Sequence, residues 1–289
     1  MWSENPKSPV DPASWALSYL GLRRVSDSQS IPVIEVLGTP LGVATYSELS
    51  DFCHARSRGS TVLSIDFTNT QIVTMRRSEP EFRSLTESVD YFVPDGMPLV
   101  WCMNRAQAGM KDRVYGPSFM RICLERTRRG VTHYFLGGSD HCLQELSRRS
   151  RERNPDLEIA GVRNGYFDEA EEEVIVEEIN RISPDFLWVG LGTPKQQAWI
   201  NRWKAKLKCV NVLAVGYAFD VNAGTKPDPP SWMQQFGLGW AFRLASEPRR
   251  LAGRYLKYNS LFLFFLAWDG FSGRAIKRAG PALGSAETK

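Results

Sequence analysis

Short runs of β-branched and apolar residues alternate along the chain with longer stretches in which apolar residues recur every three or four positions. The runs predict strands at Pro32–Val36, Ser60–Asp66, Tyr91–Val93, Thr132–Leu136, Leu157–Val162, Phe186–Val189 and Val210–Val215. Helical spacing between them predicts helices at Pro117–Thr127, Ala170–Ile182 and Pro194–Leu207. This alternation is typical of an α/β fold in which helices cover both faces of a mostly parallel sheet, as in a Rossmann-like core.

The pattern changes after Ala223. Residues 224–231 contain three prolines and predict a loop, whereas the segment from Trp232 to Trp268 has helical character and is first basic and then aromatic. We therefore predict a flexible tail at 1–30, an α/β core at 31–223, a helical appendage at 224–268 and a frayed tail at 269–289. The longest apolar run, Leu261–Trp268, is much shorter than the roughly 20 residues of a membrane-spanning helix.

Composition narrows the classes of function. The 289 residues are 43% hydrophobic and 24% charged, which is ordinary for a soluble globular protein. A net charge of +4 is too small to indicate a nucleic-acid-binding protein, but it is compatible with anionic substrates or an anionic membrane surface. The five scattered cysteines indicate buried, reduced thiols. Because the three histidines also lack ligand spacing, we predict neither a metal site nor a cofactor.

Glycines follow four of the predicted strands, at the edge of the sheet where α/β proteins bind ligands. They lie in the turns Gly137-Gly138, Gly165-Tyr166, Gly190-Leu191-Gly192 and Gly216-Tyr217. Each glycine alone is explained equally well by turn geometry, but four such turns favour a phosphate-bearing ligand, which backbone N–H groups can approach closely. Thr193 is expected to cap the next helix, with Pro194 in its first turn and Lys195 as an added cation.

Two standard nucleotide-binding motifs are absent. Lys195 occupies the place of the third glycine in the dinucleotide fingerprint, and no GxxxxGK[ST] loop occurs. These absences disfavour a nicotinamide-dependent oxidoreductase and a nucleoside triphosphatase.

Three polar residues are candidates for chemistry at the same edge. Asp95 follows a predicted strand, although its Pro-Asp-Gly context is also a common turn sequence. Asn69 follows the strand Ser60–Asp66, and Arg113 precedes a predicted helix. Together they can supply a base, an orienting amide and an anion clamp.

These residues resemble the motifs of the WecG/TagA/CpsF family of bacterial glycosyltransferases. The matching blocks run in order over about residues 31–260. They include Asn69, Val93-Pro94-Asp95-Gly96, Asp112-Arg113-Val114, Phe135-Leu136-Gly137-Gly138, Gly165-Tyr166-Phe167, Gly190-x-Gly192-x-Pro194-Lys195-Gln196, Val215-Gly216-x-x-Phe219-Asp220, Gly237-Leu238-x-Trp240-x-x-Arg243, Glu247-Pro248 and Arg254-Tyr255.

The resemblance implies transfer of a sugar from a nucleotide-diphosphate donor, with UDP the expected nucleotide, to a polyprenyl-diphosphate-linked acceptor. The reaction is expected to be inverting and metal-independent, at the cytoplasmic face of the inner membrane, in bacterial surface or exopolysaccharide biosynthesis. Asp95 matches the family's proposed base. Arg243 and Arg250 match arginines that reach the diphosphate when the appendage closes over the site and contacts the membrane.

The chain departs from the family pattern at several positions. Phe67 stands where a threonine is common, with Thr68 adjacent, and Gln197 stands where a glutamate is common. Asp228-Pro229-Pro230 replaces an Arg-Ala-Pro element, and Gly253 replaces a third arginine, with Arg254 beside it. The predicted substrate-binding residues are Thr68, Asn69, Arg113, Gly137, Gly138, Tyr166, Gly190, Gly192, Lys195, Gln196, Asp220, Arg243, Arg250 and Arg254.

Other interpretations stay open at this point. No Asp-x-Asp motif occurs, so arginines would have to replace a metal at the diphosphate, but the basic segment also fits an ordinary solvated helix face. The run Leu261–Trp268 fits a membrane contact, a core helix or the interface of a homo-oligomer. A non-catalytic nucleotide-sugar-binding or scaffold protein of a polysaccharide assembly complex would keep the glycine turns without needing Asp95.

Overall fold

The computed structural model describes residues 30–271 and 275–278. Its strands are β1 (Val33–Val36), β2 (Thr39–Gly42), β3 (Leu63–Thr68), β4 (Tyr91–Pro94), β5 (Thr132–Gly137), β6 (Glu158–Arg163), β7 (Phe186–Gly190), β8 (Asn211–Ala214) and β9 (Ile276–Arg278). Its α-helices are α1 (Tyr46–His54), α2 (Thr70–Ser78), α3 (Pro80–Leu85), α4 (Met97–Arg105), α5 (Gly116–Arg126), α6 (Asp140–Arg153), α7 (Glu172–Ile182), α8 (Lys195–Trp203), α9 (Ala218–Ala223), α10 (Ser231–Gln235), α11 (Gly239–Ser246) and α12 (Pro248–Phe271).

The strands form one sheet in the order β6-β5-β7-β8-β3-β4-β2-β1-β9. Neighbouring strands from β6 to β2 are parallel, and β1 pairs antiparallel with both β2 and β9. The predicted α/β class with a mostly parallel sheet is therefore confirmed. The parallel strands direct their carboxyl ends to one edge, which places the turns after β3, β4, β5, β7 and β8 close together.

Helices cover both faces of this sheet. Along β7, Trp188 packs into an apolar cluster with residues of α1, α5, α6 and α9. Leu187 and Val189 point to the other face, where they pack with residues of α7 and α8. This alternation is the period-two geometry of a strand buried on both faces.

Several sequence predictions are corrected in detail. Strand β3 ends at Thr68, two residues later than predicted, so that Thr68 belongs to the buried strand. Helix α8 begins at Lys195, and Thr193 does not cap it; the Thr193 hydroxyl instead accepts a hydrogen bond from the Gln197 side chain at 3.2 Å.

The C-terminal helices pack on the core. Helix α12 lies against α2, where the Tyr258 hydroxyl donates to Glu79 at 2.9 Å and Phe262 is buried in the cluster that holds Val36 and Leu41. Residues 276–278 form β9 rather than the frayed tail that the sequence predicts there, because they pair with β1. Residues 269–271 are also helical rather than frayed, because they continue α12. Residues 272–274 and 279–289 of that tail, and residues 1–29 of the tail predicted at 1–30, lie outside the described residues.

Candidate active site

A polar cavity of about 380 Å³ lies at the carboxyl edge of the sheet, beneath α11 and α12. It brings together ten of the predicted site residues, which are Asn69, Asp95, Gly138, Tyr166, Gly190, Gly192, Gln196, Asp220, Arg243 and Arg254. The strand ends supply its floor, and Tyr255 of α12 and Glu247, between α11 and α12, belong to its cover. The topology therefore joins residues that are far apart in the sequence into one site.

A second cavity of about 470 Å³, lined mainly by apolar side chains, adjoins the first. Its lining includes Trp101 of α4, Trp240 of α11, and Phe262, Leu263 and Leu266 of α12. The two cavities share five residues, Asn69, Gln71, Asp95, Arg243 and Tyr255. Arg113 lines only the apolar cavity, so the structure separates it from the glycine turns with which the sequence grouped it.

Asp95 stands at the junction of the two cavities. It directly follows β4, where its backbone N–H donates to the carbonyl of Thr68 at 2.8 Å. Its Oδ1 accepts a hydrogen bond from the backbone N–H of Gly116 at 2.9 Å, which fixes the carboxylate. Burial raises the pKa of Asp95, and the positive charges of Arg113 and Arg243 oppose this rise. A fixed carboxylate with a raised pKa has the properties of a general base.

Two arginines flank this carboxylate and contact the same tyrosine. Arg113 stacks on the Tyr115 ring at 4.4 Å and donates to Gln234 of α10 at 3.2 Å. Arg243 donates to the Tyr115 hydroxyl at 3.1 Å and lies over the Tyr217 ring at 4.5 Å. The Nε atom of Arg243 is buried without a hydrogen-bond partner among the described residues. The guanidinium groups therefore place positive charge near Asp95, with Arg243 at the boundary of both cavities and Arg113 in the apolar cavity.

Two amide side chains shape the floor of the polar cavity. The Asn69 side chain caps α2 by accepting from the backbone N–H of Ile72 at 3.2 Å. The Gln196 side chain accepts from the N–H of Gly192 at 3.2 Å and thereby holds the turn after β7. Both amides have a structural hydrogen bond and still face the cavity.

Four predicted binding residues are not among the cavity lining. Thr68 is fully buried and donates to Asp66 at 2.6 Å. Gly137 lies against Gly190 so closely that a Cβ atom would stand 2.5 Å from the backbone, which explains the glycine by packing. Lys195 donates to the carbonyl oxygens of Gly165 and Phe167 at 3.0 and 3.2 Å. The side chain of Arg250 lies outside the described part of the structure.

Several lining residues are absent from the predicted site. Gln71, Trp101, Tyr115 and Lys226 belong to no motif noted in the sequence, whereas Tyr217, Trp240 and Tyr255 lie in noted motifs but had no predicted role. Tyr217 could have been found from its place beside Gly216, since it belongs to a turn already assigned to the site. Nothing in the sequence indicated Trp101, because the apolar segment around it is typical of a helix that packs in the protein core. Within residues 30–271 and 275–278, no group of three or more His, Cys, Asp or Glu side chains could hold a metal ion.

Known proteins resemble this chain over most of its length. Residues 34–276 match the family model described as the glycosyl transferase WecG/TagA/CpsF family. A Staphylococcus aureus (strain MW2) protein named N-acetylglucosaminyldiphosphoundecaprenol N-acetyl-beta-D-mannosaminyltransferase is 25% identical over 260 residues, which cover 88% of this chain and 99% of that protein. A Bacillus spizizenii protein of the same name is 26% identical over 183 residues, which cover 63% of this chain and 70% of that protein.

Proposed function

Because the chain belongs to the glycosyl transferase WecG/TagA/CpsF family, we propose that it transfers a sugar from a UDP-sugar to a polyprenyl-diphosphate-linked acceptor, with inversion and without a metal. The observation that carries this proposal is the position of Asp95, which lines both the polar cavity and the apolar cavity. A transferase of this kind must hold two different substrates on either side of one base.

The polar cavity suits the donor. Its glycine turns allow backbone N–H groups to approach phosphate oxygens, and Arg243 and Arg254 add positive charge from the covering helices. Tyr166 at its rim is 80% exposed, so that its ring is free to stack on a nucleobase or a sugar. In this proposal the UDP moiety lies along the turns, and the transferred sugar points towards Asp95.

The apolar cavity suits the acceptor. The relatives are named for an acceptor that joins a sugar to undecaprenol through a diphosphate, and such a molecule has one polar end and a long apolar chain. Trp101 and Trp240 can stack against the sugar, and Leu263 and Leu266 lie where the isoprenoid would leave the cavity. Arg113 is then placed to contact the acceptor rather than the donor.

The reaction follows from this arrangement. Asp95 removes the proton of the acceptor hydroxyl, and the hydroxyl oxygen attacks the anomeric carbon from the face opposite to the leaving UDP. The bond between that carbon and the diphosphate oxygen breaks, its electron pair goes to UDP, and the configuration inverts. Arg243 and Arg254 stabilise the charge that develops on the diphosphate, a contribution of about 1.5–3 kcal/mol for each charge-assisted contact. In this proposal these cations take the part that a metal ion has in other transferases.

The outer surface of the appendage suits a membrane-bound acceptor. Leu263, Phe264 and Trp268 of α12 and Trp240 of α11 are exposed, and two of them, Leu263 and Trp240, also line the apolar cavity. Among the described residues, no helix has the length and apolar character needed to cross a membrane. We infer that these side chains rest on the cytoplasmic surface of the inner membrane, where the isoprenoid can pass directly from the bilayer into the cavity.

A transfer assay with the purified full-length chain tests this function. A panel of UDP-sugars is incubated with vesicles that contain N-acetylglucosaminyl-diphosphoundecaprenol, and the glycolipid product is analysed by mass spectrometry and by NMR of the anomeric proton. We expect one donor sugar to be added with inverted configuration. Transfer with retention would contradict the single-base mechanism, and UDP-sugar binding without any transfer would favour a non-catalytic nucleotide-sugar-binding protein.

A further inference from the structure

Tyr115 connects the proposed base with the proposed anion-binding arginine. It lies in the turn before α5, is only 2% exposed, and its neighbour Gly116 holds the Asp95 carboxylate through a backbone hydrogen bond. The backbone N–H of Tyr115 donates to the Tyr46 hydroxyl at 2.9 Å, so the turn is also anchored to α1. One short segment of chain therefore fixes Asp95 and carries a tyrosine that contacts Arg243.

The hydroxyl of Tyr115 has two partners from the C-terminal segment. It donates its single proton to Oδ1 of Asp228 at 2.8 Å, in the loop before α10. Its oxygen then accepts a hydrogen bond from Arg243 of α11 at 3.1 Å. The donor and acceptor roles are determined, because an arginine can only donate and a carboxylate can only accept.

We propose that Tyr115 is a positioning residue for the transfer reaction, which holds the guanidinium group of Arg243 at the junction of the two cavities before the substrates bind. This inference rests on the proposed function, since it assigns Arg243 to the diphosphate. The hydroxyl of Tyr115 is the polar tether of Arg243 among the described residues, and the Tyr217 ring supports the guanidinium from its face.

The order of the contacts strengthens the tether. Because Asp228 accepts a hydrogen bond from the hydroxyl, it increases the negative partial charge on the Tyr115 oxygen. That oxygen therefore becomes a better hydrogen-bond acceptor for Arg243. Burial raises the pKa of Tyr115, so the hydroxyl keeps the proton that it donates. A free arginine side chain has many rotamers, and holding it in one of them in advance reduces the entropy lost when the diphosphate binds.

Tyr115→Phe removes the hydroxyl and keeps the ring, including its stacking with Arg113. The chain offers a closely matched control in Tyr258, whose hydroxyl also donates to a carboxylate, Glu79, at 2.9 Å and accepts from a cation, Lys257, at 3.3 Å. Tyr258→Phe thus removes an equivalent contact between the core and the C-terminal helices, but neither Asp95 nor Arg243 is involved.

The test is a double-mutant cycle with Tyr115→Phe and Arg243→Ala in the full-length chain. UDP affinity is measured by calorimetry, and kcat and KM are measured by the transfer assay. We expect Tyr115→Phe alone to lower kcat by about tenfold, as for a lost hydrogen bond to a charged group, and to change the acceptor KM by less than about twofold. In the Arg243→Ala background the same substitution should change kcat and UDP affinity by less than about twofold, because the residue it positions is already gone.

Different outcomes separate this inference from the proposed function. Equal losses from Tyr115→Phe in both backgrounds, or the same loss from Tyr258→Phe, would overturn the positioning role while leaving the transferase intact. A wild-type chain that neither binds UDP nor transfers a sugar would overturn the proposed function and this inference with it. A loss that disappears in the Arg243→Ala background, with normal activity of Tyr258→Phe, supports it.

Discussion

Replacing the buried carboxylate of Asp66 by an amide should make the protein more stable at neutral pH. Asp66 is 1% exposed in β3 and accepts hydrogen bonds from Thr68 at 2.6 Å and from Gln197 at 2.8 Å. These contacts favour the charged form, but burial outweighs them and raises the pKa of Asp66 to about 6. The Oε1 atom of Gln197 is buried without a hydrogen-bond partner among the described residues. In Asp66→Asn, the Gln197 amide can turn over so that this oxygen accepts from the new Asn NH₂ group.

The expected size and sign follow from proton linkage. The folded protein binds the Asp66 proton more tightly than the unfolded chain does, since the pKa rises from the ordinary value of 3.8 to about 6. This contribution to stability is complete only well below the unfolded pKa of 3.8, is lost as the pH rises through the folded pKa of about 6, and is nearly absent at pH 7. The loss amounts to about 3 kcal/mol, at about 1.4 kcal/mol for each tenfold change in proton affinity.

Urea unfolding of wild type and Asp66→Asn at several pH values between 4 and 8 measures this effect. Between pH 4 and pH 7, the unfolding free energy of the wild type relative to that of Asp66→Asn should fall by about 2.5 kcal/mol, because the unfolded chain is already partly ionised at pH 4. This change is expected whatever the difference between the two proteins at pH 4. Asp156→Asn is the control, because that carboxylate is 52% exposed in an ion pair with Arg129. A difference between wild type and Asp66→Asn that stays constant over this pH range would refute the reasoning.

Three further predictions concern the site and its surroundings. Arg243→Gln should move the acid limb of the pH–rate profile to higher pH, because the charge of Arg243 lowers the pKa of Asp95. An acid limb that does not move would mean that the titration of a group other than Asp95 determines it. Transfer should survive excess EDTA, and a loss that magnesium or manganese restores would contradict the metal-independent mechanism. Leu263→Ser combined with Trp268→Ser should lower co-flotation with anionic vesicles by about tenfold. Val174→Ser on α7 is the control and should leave flotation unchanged, because the Val174 side chain is as exposed as that of Leu263. Equal losses in the two variants would exclude α12 as the membrane contact.

Most of the sheet is predictable from the sequence because its central strands are buried on both faces and appear as short apolar runs. All seven predicted strands occur, with shifted ends. Strand β2 escapes the pattern, since Pro40 and Gly42 are both unfavourable in strands, and it pairs through the turn at Leu37 and Gly38, which have positive φ. Strand β9 has only three residues, which are too few to form a recognisable pattern, and it forms because it pairs with β1.

The site is predictable where it follows strand ends and not where it depends on the docking of the C-terminal helices. Asp95 and the glycine turns could be placed from the chain alone, because the carboxyl ends of parallel strands share an edge. Thr68 is expected in the site because it adjoins Phe67, where the family pattern commonly has a threonine, but β3 extends to Thr68 and buries its side chain. The contact of Tyr115 with Asp228 and Arg243 joins residues more than 100 positions apart. No local pattern indicates such a pair.

The role of Asp95 is tested most directly by comparing sugar transfer and UDP binding in Asp95→Asn. The amide keeps the shape of the side chain and its contact with Gly116 but cannot take a proton. We predict a loss of about 10²–10⁴-fold in kcat, the usual contribution of a general base, with UDP affinity within about twofold of wild type. Asp51→Asn, on the exposed surface of α1, should transfer normally. Transfer by Asp95→Asn at a rate close to that of the wild type would contradict the assignment of Asp95 as the base between the two cavities.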